Sequence, residues 1–343
     1  MAYEILRRVE SGAYASDLLA HSSGLDARDA GLATEIVFGC LRYKLQLDYM
    51  IGRLTNNRTL DTEVQVVLRM GMYQLRYLER IPPHAAVSES VELMKRAGKA
   101  SAAPLVNAVM RKVNRNPVQW PDRATTLSCP AWLLTKWDAQ FGAAVADQIA
   151  STFLQAPENY VATTGRIQDI GSQSIIPLLD LGRGQSFLDL CAAPGNKTAQ
   201  ALEYGVDTIA VDLHLHRLRT MGDVGCPRVV LDATQPLPFS KQFDRILVDA
   251  PCSGTGTLAR NPEIKWRLRS DDLGQLQKRQ KAILNNALGL LKPGGMLVYS
   301  TCSLEPEENE DVIAAFPGAW VTSRRIPGKD PGDGFFAAVL PSA

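Results

Sequence analysis

Two cysteines each follow a short apolar run that has the character of a buried strand. Cys252 comes after residues 243–248 (FDRILV) and the sequence DAP, and Cys302 comes after residues 296–299 (MLVY) and the sequence ST. In an open α/β sheet, ligands bind outside the carboxyl ends of the strands. We therefore predict that both thiols face one cleft. A thiol is partly ionised near neutral pH and is strongly nucleophilic, so this arrangement favours covalent chemistry.

The composition narrows the class of protein. The chain has 343 residues, of which 45% are apolar and 21% are charged, and its formal net charge is +1. No apolar run reaches the roughly 18 residues that span a bilayer, and the start of the chain is too charged for a signal peptide. We expect a cytoplasmic protein without a membrane partner. The six cysteines form no C-x-x-C pair and there are four histidines, so we expect free thiols and no metal site.

The front of the chain is helical and mildly basic. Residues 1–125 hold 17 Lys and Arg against 13 Asp and Glu, and apolar residues recur at helical spacing as far as about residue 116. Asp26 and Asp61 stand where N-caps are expected. Basic residues that include Arg111 and Lys112 cluster near the last of these helices. They are equally consistent with an RNA-binding patch and with ordinary solvated surface.

Strand and helix patterns alternate from residue 186 onward, after a linker and a predicted helix over residues 131–154. This alternation predicts an α/β domain with a parallel sheet covered on both faces. The predicted strands are residues 186–190, 208–211, 228–231, 243–248 and 296–300, and the predicted helices are residues 197–203, 215–223, 271–291 and 307–315. Pro293, Gly294 and Gly295 are expected to end the longest helix before the last strand.

The first predicted strand runs into a loop of small residues that is suited to a cofactor. A dinucleotide fingerprint requires more glycines than Gly195 alone, and a phosphate-binding loop requires glycine where Cys191 and Asn196 stand. S-adenosylmethionine, an adenosine cofactor without phosphates, fits better. Acidic residues that can pair with its amino group, ribose, adenine and positive sulfonium recur at the strand ends, namely Asp189, Asp212, Asp232 and Asp249.

Two sets of motifs resemble one known family. FLDLCAAPGNKT, ILVDAPCSGTG and VYSTCSLEPEEN, in this order, resemble the bacterial RNA (cytosine-5)-methyltransferases. The strings LRMGMYQLRYLERIPPHAAVSESVELMKRAGK and APLVNAVMRKVNR resemble the NusB-like RNA-binding domain that precedes the ribosomal small-subunit methyltransferase B (Fmu/Sun) branch. The resemblance implies an all-helical NusB-like domain over residues 1–120 and a doubly wound, class I (Rossmann-like) methyltransferase domain over residues 171–343. Residues 121–170 would form a linker and a shortened RNA-binding segment.

The resemblance also implies roles for individual residues. Cys302 would be the nucleophile, Cys252 would assist product release, Asp249 would activate the base, and Lys197 would help to position Asp249 or the base. The implied S-adenosylmethionine pocket is lined by Cys191, Ala192, Ala193, Pro194, Gly195, Asn196, Lys197, Asp212, Arg217, Asp232 and Asp249.

The chain departs from the family pattern in two places. Asn196 stands where the family usually has a second glycine, and residues 155–170 leave little room for the family's longer RNA-binding subdomain. Farther along, Arg260, Lys265 and Arg267 form a basic loop that we expect to clamp RNA phosphates. The acidic run over residues 305–311 is typical of the first turn of a helix.

These observations lead to one main hypothesis and two alternatives. The main hypothesis is a monomeric enzyme that makes 5-methylcytosine in small-subunit ribosomal RNA through a covalent cysteine–cytosine intermediate. The same chemistry on transfer RNA is one alternative. The other is a non-catalytic RNA-binding or assembly factor with a relic methyltransferase fold, against which the presence of both Cys252 and Cys302 argues. An amino-group methyltransferase would require a proline-rich D-P-P-[YF] type of strand end in place of Cys252.

Overall fold

The computed structural model describes residues 1–20 and 24–342 and divides them into two compact units. The first unit contains Met1–Ala156 and Leu258–Arg267, and the second contains Pro157–Thr257 and Leu268–Ala343. A late stretch of the sequence therefore belongs to the front unit. Within the described residues, no helix combines the length and the apolar character needed to cross a membrane.

The first unit is helical. Its helices are α1 (Ala2–Glu10), α2 (Ala15–Ala20), α3 (Ala27–Arg42), α4 (Lys44–Leu54), α5 (Thr62–Tyr77), α6 (Pro83–Arg96), α7 (Ala103–Met110), α8 (Arg123–Thr126), α9 (Ala131–Phe141) and α10 (Ala143–Thr152), with a 3₁₀ turn at Ala100–Ala102. The Asp26 carboxylate accepts a hydrogen bond from the Asp29 amide and caps α3, as predicted. Asp61 stands at the predicted start of α5, but its side chain forms an ion pair with Lys99 instead of a cap.

Helix α5 is the centre of the first unit because it is buried around most of its circumference. Ten of its sixteen residues are buried, including Val67, Leu68 and Met72. A helix that is apolar on all sides requires neighbours on all sides. α1, α3, α4, α6 and α7 supply them. The buried Arg69 guanidinium on α5 forms ion pairs with Asp48 and Glu10, which compensate its charge.

The segment Leu258–Arg267 is anchored within the first unit by buried hydrogen bonds. The Arg42 guanidinium donates to the Ala259 carbonyl, and the Glu263 carboxylate accepts from the Ala15 amide at 2.9 Å. The Lys265 ammonium donates to two backbone carbonyls and the Trp266 indole to a third. These groups lose their water on burial, so leaving any of them without a hydrogen bond would destabilise the folded protein.

The second unit is built on a mixed sheet of seven strands. They are β1 (Ser186–Asp189), β2 (Asp207–Asp212), β3 (Arg228–Val230), β4 (Phe243–Asp249), β5 (Leu291–Thr301), β6 (Trp320–Arg325) and β7 (Phe335–Pro341), in the spatial order β3-β2-β1-β4-β5-β7-β6. β1 to β5 are parallel, whereas β7 is antiparallel to both of its neighbours. Chain order reverses between β1 and β4, which is where ligands bind in such sheets.

Helices and short 3₁₀ turns connect the strands. The remaining helices are α11 (Ile170–Gln173), α12 (Asn196–Leu202), α13 (Leu215–Thr220), α14 (Ile264–Arg267), which belongs to the first unit, α15 (Ser270–Leu288) and α16 (Glu310–Ile313). The 3₁₀ turns are Ile176–Leu179, Thr255–Thr257 and Pro306–Glu308. Apolar side chains on both faces of the sheet form two cores, which explains why residues 187–188 in β1 and 246–248 in β4 are apolar without alternation.

The predicted fold class is confirmed, with local differences. The single helix predicted over residues 131–154 is two helices, because Gly142 has a φ of 82° between them. β5 begins at Leu291, so Pro293–Gly295 lies inside the strand, beside a register shift against β4, and the longest helix ends earlier, at Leu288. The predicted helix over residues 307–315 is a 3₁₀ turn followed by α16. β6 had no counterpart in the prediction.

Two glycines on the same helix test the packing of α3 against α5. A Cβ at Gly39 would overlap the Tyr73 ring, whereas a Cβ at Gly31 would meet nothing within 4 Å. We expect Gly39→Ala to destabilise the protein by about 1–3 kcal/mol through overpacking. Gly31→Ala should stabilise it by up to about 1 kcal/mol, since alanine favours the helical conformation. Thermal unfolding of both variants checks the pair, and equal shifts would contradict this packing.

Candidate active site

The two predicted reactive cysteines lie side by side in the second unit. β4 and β5 pair in parallel as far as Asp249 and Ser300, and each strand then continues into a loop. These loops bring the Sγ atoms of Cys252 and Cys302 to within 3.4 Å of each other. Both side chains are half-buried. The pairing of the strands thus brings together two residues that are 50 positions apart in the sequence.

The neighbouring sulfur affects the protonation of Cys252. The hydrogen bond with Cys302 and burial together raise the pKa of Cys252 well above its usual range. Either sulfur can be the donor of this hydrogen bond.

Asp249 is held next to the cysteines by two side chains. Its Oδ2 atom forms an ion pair of 2.6 Å with the Lys197 ammonium, and its Oδ1 atom accepts a hydrogen bond of 2.7 Å from the Ser300 hydroxyl. The Lys197 ammonium also lies 5.4 Å from the centre of the Phe335 ring. Of the four residues predicted to be catalytic, the structure joins Asp249 to Lys197 and Cys252 to Cys302.

The predicted cofactor loop follows β1. Gly195 has a φ of 96°, and a Cβ there would press on Met221, so this position requires glycine. Asn196 begins α12, and its side-chain amide donates to the Ile167 carbonyl. The residue that replaces the usual glycine thus contacts the short hairpin bridged at Val161 and Ile167. A small cavity beside the loop is lined by Ser172, Asp189, Cys191, Ala192, Ala193, Pro194, Asn196, Lys197 and Asp249.

Asp189 presents a polar atom to this cavity. Its Oδ2 atom accepts a bond of 2.7 Å from the Thr198 hydroxyl, whereas Oδ1 is buried and accepts no hydrogen bond of ordinary geometry among the described residues, although the Cys191 backbone amide interacts with the carboxyl group. Burial raises the pKa of Asp189 to about 7, against the opposing effect of the Thr198 hydrogen bond. A buried carboxylate oxygen without a donor is expected to bind one supplied by a ligand.

The other predicted cofactor residues follow β2 and β3. Asp212 accepts hydrogen bonds from the backbone amides of Ala193 and His214, and the Arg217 guanidinium lies 3.4 Å from it and donates to the Ala193 carbonyl. Asp232 accepts bonds from the amide and hydroxyl of Thr234, which hold its pKa below the usual range. Asp212 is thereby tied to the cofactor loop, while Asp232 is bonded within its own turn.

A buried carboxylate that the sequence analysis did not select links the two cysteine loops. Glu308 belongs to the acidic run that was predicted to form the first turn of a helix. Instead, Glu308 ends a 3₁₀ turn, is fully buried, and accepts hydrogen bonds from Ser253 and Ser303. These serines directly follow Cys252 and Cys302. The available signal was that a serine follows each cysteine and that an acidic run comes soon after the second pair. A local sequence pattern does not show which acidic residue of that run points inward.

The residues predicted to bind RNA have different environments, all in the first unit. Arg111 and Lys112 are exposed, and Arg111 bonds to Asn107. Arg260 is half-buried. Lys265 is buried, with its ammonium 2.7 Å from the Ser128 carbonyl, and Arg267 donates to the Val9 and Ala13 carbonyls. This placement argues against phosphate contacts for Lys265 and Arg267, because internal carbonyls already accept their hydrogen bonds.

The described residues contain no group of three or more His, Cys, Asp or Glu side chains that could hold a metal ion. The cysteines are all present as free thiols. The side chains that the site offers include two thiols, a carboxylate and an ammonium.

Comparison with known proteins identifies the family. The family described as 16S rRNA methyltransferase RsmB/F matches residues 176–319, and the NusB family matches residues 1–115. The ribosomal RNA small subunit methyltransferase B of Klebsiella pneumoniae is 33% identical over 99% of this chain and 96% of its own. The probable counterpart of Bacillus subtilis is 32% identical over 92% of this chain and 87% of its own. The chain belongs to the ribosomal RNA small subunit methyltransferase B family.

The family members are longer than this chain. The alignment with the Klebsiella methyltransferase B extends over 416 positions, which exceeds the 343 residues present here. This chain therefore has gaps where that relative has residues. Between the first unit and α11, the structure has only residues 157–169, with the hairpin bridge between Val161 and Ile167. A shortened RNA-binding segment at this place stays a prediction.

Solved structures agree on the fold. The crystal structure of PH0851 superimposes with a TM-score of 0.79 over 98% of this chain and 96% of its own, at 20% identity. A methyltransferase homologue from Pyrococcus horikoshii superimposes with a TM-score of 0.54 over 66% of this chain and all of its own, at 23% identity. At these identities the likeness concerns the fold alone.

The proximity of the two sulfurs can be tested by alkylation. In Cys302→Ala, we expect the pH midpoint for alkylation of Cys252 to fall towards the ordinary thiol value of about 8.5, because the hydrogen bond that contributes most to the raised pKa is lost. Residue-specific mass spectrometry after iodoacetamide treatment from pH 6 to pH 10 measures it. Cys226, whose pKa is raised by burial, serves as the internal control and should not change. An unchanged Cys252 midpoint would show that the sulfurs do not interact.

Proposed function

We propose that this chain transfers a methyl group from S-adenosylmethionine to carbon 5 of a cytosine in small-subunit ribosomal RNA. Membership of the methyltransferase B family supports the reaction class and the RNA. The observation that carries the cytosine-5 chemistry is the pair of thiols 3.4 Å apart. The sequence further predicts that the enzyme acts as a cytoplasmic monomer.

The residues beside the cofactor loop fit S-adenosylmethionine. Asp189 offers a buried oxygen without a donor, which suits the cofactor's ammonium group, and Asp212 lies at the end of β2, where a ribose hydroxyl is expected. Asp249 and Asp189 add negative charge around the cavity. Negative charge favours a cationic ligand. When bound, S-adenosylmethionine supplies a methyl group on a positively charged sulfur.

A cysteine thiolate can activate the cytosine ring for methylation. Carbon 5 is a poor nucleophile, so the ring must first be activated. The Cys302 thiolate adds to carbon 6 and forms a C–S bond, and the displaced electron pair moves onto carbon 5, which becomes able to accept the methyl group. A base then takes the carbon 5 proton, the C–H electron pair restores the double bond between carbons 5 and 6, and the C–S bond breaks with its electron pair returning to the thiolate. Cysteine suits both steps because it is a good nucleophile and a good leaving group.

The neighbouring groups have distinct roles in this scheme. Cys252 is assigned to the elimination, and its position next to Cys302 supports that role. Asp249 would bind the amino edge of the cytosine and make the ring more susceptible to attack. Lys197 and Ser300 hold the Asp249 carboxylate in one orientation. The exposed Arg111 and Lys112 are available to RNA phosphates on the first unit.

The proposed reaction can be tested by transfer of labelled methyl groups. We expect the wild-type protein to convert cytosine to 5-methylcytosine in protein-free small-subunit ribosomal RNA prepared from cells lacking this enzyme, with mass spectrometry identifying the base. Cys302→Ala should abolish transfer. Cys252→Ala should accumulate a protein–RNA adduct that survives denaturing electrophoresis, because elimination is impaired while addition continues.

The controls separate substrate from mechanism. Transfer RNA is assayed in parallel, and label found only there would keep the mechanism and change the substrate. S-adenosylmethionine binding should be nearly unchanged in Cys302→Ala. Normal methylation by both cysteine variants would contradict the covalent scheme, and intact cofactor binding without label in either RNA would favour a non-catalytic role.

Cofactor affinity should depend on pH through Asp189. With its pKa at about 7, Asp189 carries a proton below neutral pH, and a protonated carboxyl pairs poorly with an ammonium group. We therefore expect the affinity for S-adenosylmethionine to fall about fourfold from pH 8 to pH 6, because the loss of the Asp189 charge outweighs the fuller protonation of the cofactor's α-amino group at pH 6. Isothermal titration calorimetry measures it. The isosteric Asp189→Asn variant should bind more weakly with a flatter pH profile, and an equally steep profile in that variant would assign the effect to another group.

A further inference from the structure

Glu308 lies at the junction of three elements around the cysteines. Its Oε1 atom accepts hydrogen bonds from the Ser253 amide at 2.8 Å and from the Gln280 side-chain amide, on α15, at 3.0 Å. Its Oε2 atom accepts from the Ser303 hydroxyl at 2.5 Å and from the Ser253 hydroxyl. All four groups donate to the carboxylate. One buried side chain is thus bonded to the residue after each cysteine.

The sheet itself does not hold the cysteine loops together beyond their first residues. The ladder between β4 and β5 ends at Asp249 and Ser300, and two further backbone bonds join the segments, from the Ala250 amide to the Ser300 carbonyl and from the Gly256 amide to the Cys302 carbonyl. Cys252 and Cys302 lie past the end of the ladder. Side chains and loop backbone must therefore maintain the separation of the two sulfurs. The Glu308 carboxylate bonds to both loops at the positions next to the cysteines.

The surroundings fix Glu308 itself. The Tyr299 hydroxyl donates to the Glu308 carbonyl at 2.6 Å, and the Gln280 amide also reaches the Pro251 carbonyl. The next residue, Asn309, accepts from the Thr301 hydroxyl at 2.6 Å and donates to the Ser303 carbonyl at 2.9 Å, on either side of Cys302. A carboxylate that is itself held by buried bonds can transmit a defined geometry to its partners.

We propose that Glu308 is a positioning residue that sets the separation and orientation of Cys252 and Cys302. This inference rests on the proposed function for its catalytic meaning, because the two thiols act in successive steps on one base. A misplacement of reacting groups by about 1 Å can reduce a rate on the order of 10²-fold. Glu308 is fully buried and its carboxylate bonds to the serines that follow the cysteines, so it acts through those serines.

The test compares two substitutions at position 308. Glu308→Ala removes all four bonds, and we expect kcat for methyl transfer to fall at least about tenfold, with the dissociation constant of S-adenosylmethionine within about twofold of wild type. Glu308→Gln keeps one acceptor oxygen for Ser253 and Gln280, and its amide can donate to serine hydroxyls that rotate to accept. We expect it to retain activity within about fivefold of wild type. Asp311→Ala, which removes an exposed carboxylate nearby, is the matched control and should have no effect.

A second readout does not depend on methyl transfer. The azo compound diamide oxidises two adjacent thiols: one S–S bond forms, and both thiol hydrogens pass to the N=N bond, which is reduced to a hydrazine. We expect this reagent to join Cys252 to Cys302 at least several-fold more slowly in Glu308→Ala than in wild type. Non-reducing peptide mapping measures the bond. The cross-linking result is independent of the methylation result. If the wild type methylates no RNA but Glu308→Ala still cross-links more slowly than the wild type, the positioning role is supported and the proposed function is refuted.

Ser303→Ala provides a variant that keeps the buried carboxylate if Glu308→Ala does not fold. Removing this one donor should lower kcat and the cross-linking rate partially, in the same direction as Glu308→Ala. The proposal is overturned if Glu308→Ala, or Ser303→Ala where the former does not fold, retains wild-type rates in both assays. It is also overturned if Glu308→Gln is as impaired as Glu308→Ala, since the charge and not the geometry would then be decisive.

Discussion

The parallel pairing of β4 with β5 is the constraint on which the site depends. It places Asp249 opposite Ser300 and starts both cysteine loops at the same edge of the sheet. Hydrogen bonds between the strands fix this register and, with it, the positions from which the two cysteine loops start. Past the last pair, the Glu308 carboxylate and the backbone bond from Gly256 to Cys302 replace the ladder. These side-chain and backbone bonds therefore keep the two chain segments joined beyond the end of the paired strands.

Carboxyl groups and burial together determine the electrostatic environment at the carboxyl ends of the parallel strands. Asp189, Asp249 and Glu308 bring three carboxyl groups into the half-buried region around the thiols. Burial and neighbouring groups raise the pKa values of Asp189 and Cys252. A raised pKa means that each of these two groups gives up its proton less readily, so the free protein disfavours further negative charge here. The same carboxyl groups favour a cationic ligand over a phosphate-bearing one.

The basic loop after β4 shows how a pattern of charge can be misread. Lys265 and Arg267 look like RNA-binding residues in the sequence, yet they are anchors of the helical unit. The long side chains reach backbone carbonyls, which accept their hydrogen bonds in place of phosphate oxygens. The segment between Thr257 and Leu268 thus belongs structurally to the front of the chain. Exposed basic residues such as Arg111 and Lys112 are better candidates for RNA contacts.

The sequence alone determined the helical front, the α/β class and the position of the two cysteines after strand ends, and it predicts the cofactor loop. These features are local: apolar periodicity marks the strands, and the residues that follow strand ends must lie at one edge of a parallel sheet. The tertiary structure decided the direction of individual side chains. In the folded protein, Glu308 points inward from an acidic run and Lys265 is buried. The predicted helix is divided at Gly142, and β6 forms an edge strand. These outcomes depend on contacts between residues far apart in the chain, which a local pattern does not contain.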